Sequence, residues 1–166
     1  MRWAALALVL WSSGCASRNS NSGSADGVTV DSVDAPVITL ERTACFGGCP
    51  VYRLAVSSDG TVTYEGEAHV RQLGTASNRI PGERVQALLS ELDRAGYFSF
   101  ASRYAAAEPV CGRYSADSPS AITSMTFGGR TKRVEHDYGC GAAPGALVVL
   151  ERRIDEVLGS AQWTGR

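Results

Sequence analysis

The chain has 166 residues, 44% hydrophobic and 20% charged, with 16 Lys and Arg against 17 Asp and Glu. That composition fits one ordinary globular domain with extensions. A net charge of −1 supplies neither the basic field that attracts a nucleic-acid backbone nor an acidic run for a basic partner, so nucleic acid is not expected as a partner.

Residues 1–14 read as a targeting segment. Arg2 is a short positive start, residues 4–11 are an apolar run, and Ser12-Ser13-Gly14 are small residues placed before Cys15. The run is far shorter than the roughly 20 residues that cross a bilayer core as a helix. It therefore predicts a cleaved signal peptide. The small residues before the cysteine resemble a bacterial lipobox, with Ser12 where that pattern prefers Leu. The resemblance implies lipid modification of Cys15, palmitate among its acyl chains; an ordinary secretory signal cut nearby is the alternative. Residues 15–35 are then the lipidated cysteine and a Ser/Asn/Gly-rich tether, too poor in apolar side chains to offset its ordering entropy. Residues 36–166 remain as a single globular domain.

Within it, residues 37–40 and 51–56 are β-rich runs, the second with Tyr52, Leu54 and Val56 on one face. Ser58-Asp59-Gly60 leads into an alternating strand over 61–65, a strong hairpin signal. From Pro81, Val85, Leu88, Leu89 and Leu92 share a helical face, and Gly96 marks the stop. Residues 101–120 lack clear periodicity and carry Pro109, Gly112 and Pro119, which predicts a long irregular crossing. Residues 121–127 and 130–138 form a second hairpin about Gly128-Gly129. A last helix puts Leu147, Leu150, Ile154 and Leu158 on one face, with Glu151-Arg152-Arg153 and Asp155-Glu156 mostly on the wet side. The predicted fold is α+β: an antiparallel β-sheet of about five strands with two amphipathic helices on one face.

Four stretches then stand out: residues 45–52 (Cys-Phe-Gly-Gly-Cys-Pro-Val-Tyr), Asp59-Gly60 with residues 64–66, Asp117-x-Pro119, and residues 134–139 (Val-Glu-His-Asp-Tyr-Gly). Together they resemble an uncharacterised bacterial family of small domains with a Cys-Phe-Gly-x-Cys-Pro signature, found in predicted envelope lipoproteins. The resemblance implies a fold and a location, the bacterial cell envelope, lipid-anchored. It implies no activity, substrate or cofactor.

With Cys15 set aside, Cys45, Cys49, Cys111 and Cys140 are an even set in a chain bound for an oxidising compartment. Of three pairings, Cys45–Cys49 would staple the Gly47-Gly48 loop and Cys111–Cys140 would pin the irregular crossing. A tetrahedral zinc site from Cys45-x3-Cys49 and His136-x3-Cys140 is the sharper alternative, though secreted thiols oxidise readily. A redox pair at Cys45 and Cys49 fits poorly, since three residues intervene and a strand follows. Asp117, Pro119 and His136 form a candidate binding loop. His136 shares the parity of Val134 and Tyr138, so it is expected partly buried and satisfied by a hydrogen bond, with Asp137 pointing the other way. His69 reads as solvated, and Gly47-Gly48 is only a weak anion cradle without a following helix start. Neither Gly-x-Ser-x-Gly nor His-Glu-x-x-His occurs, so no hydrolase is indicated. Tyr97, Phe98, Phe100 and Tyr104 read as core, with an exposed binding patch as the alternative.

Two functions stay open. One is a non-enzymatic envelope module, held to the membrane through Cys15 and binding another envelope protein or polymer. The other is a metal-binding or enzymatic domain with a site around His136, Asp117 and the cysteines.

Overall fold

The computed structural model describes residues 35–166. The expected signal peptide, lipidated Cys15 and nearly all of the tether lie outside them.

Seven strands form one sheet: β1 (Pro36–Arg42), β2 (Val51–Ser57), β3 (Thr61–Ala68), β4 (Gly74–Arg79), β5 (Arg103–Tyr104), β6 (Ser120–Phe127) and β7 (Arg130–Asp137). Three helices accompany them: α1 (Gly82–Arg94), α2 (Gly145–Leu158) and the single turn α3 (Ala161–Thr164). Across the sheet the order is β4-β3-β2-β1-β6-β7-β5. Every pairing is antiparallel except β5 with β7, which is parallel and makes the sheet mixed.

The α+β class holds, and the count of about five antiparallel strands is corrected to seven in a mixed sheet. The two added strands left little trace in the side chains. β4 (Gly-Thr-Ala-Ser-Asn-Arg) buries almost nothing and exists by backbone pairing to β3, Thr61 opposite Arg79 through Gly66 opposite Gly74. β5 is two residues, pulled into the predicted irregular crossing by the Glu135 N–H bond to Ser102 O.

Strand alternation divides the sheet into two faces. Ile38, Leu40, Tyr52, Leu54, Val56, Val62, Tyr64, Ala121, Met125 and Val134 are buried beneath the helices. There they meet Val85, Leu88, Leu89 and Leu92 of α1 and Leu147, Leu150, Ile154, Val157 and Leu158 of α2 in one core. The aromatic group joins it: Tyr97 and Tyr104 are buried, with Phe98 and Phe100 packed beside them. Tyr97 and Thr123 hydroxyls share a buried hydrogen bond of 2.8 Å. Gly96 ends α1 in the left-handed region at φ 84°, as its place after the apolar stripe predicts. Gly60 has a stronger reason to be glycine: its φ is 92°, and a Cβ there would lie 1.9 Å from the Ile80 carbonyl oxygen.

The opposite face is open to solvent. A depression of about 820 Å³ crosses it, lined by Thr39, Ala55, Thr63, Ser77, Ser124 and Arg133 among others. One rung of cross-strand neighbours, Glu41, Arg53 and Glu65, carries charge across it. Arg53 pairs with Glu41, Glu65 and Glu67, so these charges satisfy one another in water.

Candidate functional site

Two features stand at the end of the sheet where β1 finishes and β2 begins. One is a cluster of charged and phenolic side chains under α2; the other is the set of loops that close over it.

The cluster comes from three strand ends and one helix. Arg42 is the last residue of β1, Tyr52 lies near the start of β2, His136 is near the end of β7, and Tyr138 directly follows that strand. Glu151 and Asp155, one turn apart on α2, face them. Arg42 donates from Nε (3.3 Å) and Nη2 (2.8 Å) to Asp155 Oδ2, and from Nη1 to the Tyr138 hydroxyl at 2.7 Å. Tyr52 donates to Asp155 Oδ1 at 2.7 Å. Tyr138 donates onward to Glu151 Oε2 at 2.6 Å, and His136 Nδ1 lies 2.9 Å from Glu151 Oε1. The His136 ring stacks on Tyr138 at 4.5 Å and meets Tyr104 edge-on.

Burial and charge shift these groups in ways their partners explain. Burial pulls the Arg42 guanidinium down, but Asp155 and the Tyr138 oxygen outweigh it, so the group sits above its ordinary value and stays charged. Tyr52 is raised by burial and then by the Asp155 carboxylate. Tyr138 is pushed up to about 12 by burial, with Glu151 adding and Arg42 opposing. Both phenols therefore act as donors to carboxylates at neutral pH. Among the described residues no buried side-chain nitrogen or oxygen lacks a hydrogen-bond partner. Such a closed set of bonds fixes helix to sheet.

Above the cluster lies a small cleft of about 210 Å³, lined by Arg42, Thr43, Cys49, Pro50, Tyr52, Pro119, Ser120 and Tyr138. Its walls are loops tied together by backbone bonds. Phe46 N–H donates to Asp117 O (3.1 Å), Thr43 N–H to Ser120 O (3.0 Å) and Tyr138 N–H to Pro119 O (3.0 Å). From the other side Arg166 Nη2 donates to Gly48 O at 2.8 Å. Residues 45–52, 117–119 and 134–139, far apart in the chain, thus meet at one end of the sheet.

Each predicted site residue within the described span has a definite place; Cys15 lies outside it. Cys45 is bonded to Cys49 and Cys111 to Cys140, with Cα separations of 5.7 and 4.7 Å. The first closes the loop that presents Phe46, which is 90% exposed. The second clips the 101–120 segment to the turn after β7. Pro119 lines the cleft and Asp117 stands exposed beside it at φ 67°, its carbonyl rather than its carboxylate engaged. His136 is 2% exposed, deeper than the partial burial its strand parity suggests, and faces Glu151. Asp137 does point elsewhere, accepting from the Tyr114 hydroxyl and the Gly139 N–H. His136, Asp117 and the cysteines thus lie at the same end of the sheet, but His136 faces Glu151 and the cysteines are paired in disulfides, and among the described residues no group of three or more His, Cys, Asp or Glu could hold a metal ion.

Glu151 is a correction: expected on the wet side of its helix, it is 1% exposed. Asp155, expected on the same wet side, is half-buried against Arg42 and Tyr52, neither of which the sequence marks as a site residue. The available signal was spacing, since Glu151 and Asp155 fall one turn apart beside the apolar stripe of Leu147, Leu150 and Ile154.

Residues 36–158 match a family described as a domain of unknown function (DUF6438), a span that takes in every strand, α1 and α2. No curated protein matches the chain.

Proposed function

We propose that this chain, which belongs to the DUF6438 family of domains of unknown function, is a non-enzymatic binding module of the bacterial cell envelope, tethered to a membrane through lipid on Cys15. The tether rests on the sequence, on the small residues that precede Cys15 after a short apolar run. Two disulfides fit an oxidising compartment.

One observation carries the binding role. The protein's buried charges are spent on one another, while a rigid loop holds Phe46 almost entirely in water. Cys45–Cys49 closes that loop covalently, the Asp117 carbonyl holds it on one side and Arg166 on the other. A large apolar side chain kept at 90% exposure on such a support is organised in advance for contact, which removes most of the ordering cost of association. The site chemistry offers no comparable support for catalysis.

Two measurements test this reading. Mass spectrometry of the mature N-terminus is expected to find diacylated or triacylated Cys15; an unmodified Cys15 overturns the tether. A photoreactive phenylalanine analogue at position 46 is expected to capture an envelope component in living cells, whereas the same group at Thr131, at the far end of β7, is not. Equal yields at the two positions overturn the binding role.

A further inference from the structure

Five large hydrophobic side chains are strongly exposed among the described residues: Phe46 (90%), Leu73 (62%), Val149 (54%), Val110 (44%) and Tyr114 (43%). Four of them share one end of the sheet. Phe46 sits in the β1–β2 loop, Leu73 in the β3–β4 turn, Tyr114 beside Asp137 at the end of β7, and Val110 next to the Cys111–Cys140 clip. These loops are stitched together. Gly48 O accepts from Arg166, while Arg71 and Gln72 N–H groups donate to Thr164 and Trp163 carbonyls.

Arginines outnumber the unpaired acids between the tips, three to two. Arg71, Arg113 and Arg166 are exposed there, with His69 alongside. Of the acids, Glu108 pairs with Arg103 and Glu67 with Arg53, while Asp117 and Asp137 keep their charges, Asp137 accepting only from the neutral Tyr114 hydroxyl and Gly139 N–H.

From this arrangement we propose that the loop-built end docks on an anionic bilayer surface, as a second membrane contact beside the lipid on Cys15; the inference rests on the tethered reading above. Apolar tips on separate loops, with arginines between them, suit a fluid interface, where each tip enters the headgroup layer independently and each guanidinium meets a lipid phosphate. A folded protein partner would have to supply a matching hole for each tip, and interfaces of that kind are closely packed, continuous patches. The tether makes a weak contact sufficient, because it holds the end at high local concentration. The chain enters β1 at Pro36, at the opposite end of the sheet from the Phe46 loop. Docking therefore places tether and tips at different ends of the domain and lays it back toward the membrane.

The test uses the mature protein in vesicles of phosphatidylglycerol and phosphatidylethanolamine with brominated acyl chains, which quench tryptophan on contact. Phe46→Trp is expected to lose about half of its added emission over the parent, whose Trp163 is buried, and Thr131→Trp nearly none. Leu73→Trp repeats the reading at a second tip. Reversing Arg71 and Arg113 to Glu, or replacing phosphatidylglycerol by phosphatidylcholine, is expected to reduce the quenching at least twofold. Flotation with the vesicles reports the tether separately; a protein that does not float is added to preformed vesicles and the emission of the Phe46→Trp variant read in the same way. If the indoles added by Phe46→Trp and Leu73→Trp both stay unquenched, the proposal is overturned, whether or not the protein floats. It is overturned equally if brominated lipid leaves the Phe46→Trp variant bright while native envelopes shield it from a water-soluble quencher, the result a protein partner would give.

Discussion

Replacing Arg42 by alanine tests the account of the cluster under α2 most directly. The substitution removes two hydrogen bonds to Asp155 and one to Tyr138, and takes from Glu151 a guanidinium 3.9 Å away. Asp155 is then left with Tyr52, and Glu151 with Tyr138 and His136. Breaking one partner out of a buried pair costs about 3–5 kcal/mol. Arg42 and Asp155 side chains are 15% and 18% exposed and regain some water, so the low end applies; Glu151, at 1%, regains none. We expect a loss of about 3 kcal/mol, which lowers Tm by roughly 10 °C in a domain of this size. Arg42→Lys keeps the charge but cannot reproduce the forked bonds to Asp155 and should cost about 1–2 kcal/mol. Arg53→Ala is the control: Arg53 also faces three carboxylates, yet it is 49% exposed and should cost less than about 1 kcal/mol. Urea unfolding followed by circular dichroism measures all three. If Arg42→Ala stays within about 1 kcal/mol of the parent, or Arg53→Ala matches it, the cluster is not what binds α2 to the sheet.

Two further expectations concern pH and the staples. Burial holds the Tyr97 and Tyr138 hydroxyls up to about 12 and raises Tyr52, whereas tyrosines of the unfolded chain ionise near 10; the stabilisation is therefore complete below about pH 10 and lost as pH rises through 12. The urea midpoint should be flat from about pH 8 to 10 and fall beyond it, and Tyr97→Phe should remove roughly 2–3 kcal/mol of that fall; a decline already under way at pH 9 contradicts this. Replacing Cys111 and Cys140 by Ser should cost about 3.5 kcal/mol and speed hydrogen exchange chiefly in residues 101–120, against about 2 kcal/mol and a change confined to residues 45–49 for the Cys45 and Cys49 pair. Uniformly faster exchange after loss of the longer staple would show that it supports the whole fold instead.

What could be read in the sequence follows from how the interactions are encoded. Alternating Tyr52, Leu54 and Val56, or the stripe from Val85 to Leu92, record burial in a period, and the structure buries every one of them. β4 and β5 are held by backbone bonds, which side chains do not record. Glu151 misled for a related reason: a carboxylate on an amphipathic helix reads as solvated unless its partners are known, and those partners, His136 and Tyr138, lie 15 and 13 residues away on a strand end. His136 itself was expected to be satisfied by a hydrogen bond, and it is; what its strand could not reveal is that the partner comes from α2. The junction of Asp117 with the Phe46 loop is made by main-chain atoms and leaves no mark in the sequence.

The first of the described strands is also the middle strand of the sheet, with β2 on one side and β6 on the other. During synthesis its β2 edge is covered as soon as β2 ends at Ser57, but Ile38 must wait for Met125 and Arg42 for Asp155. A ribosome that has finished β4 and α1 thus exposes a half-built sheet with a bare apolar edge and a guanidinium whose carboxylate is not yet made. Such an edge invites pairing with any other strand in reach. A chain that stops before β6 is, by this topology, an open intermediate rather than a smaller domain; the β1 edge closes only with Ser120–Phe127, and Arg42 meets its carboxylate only with α2.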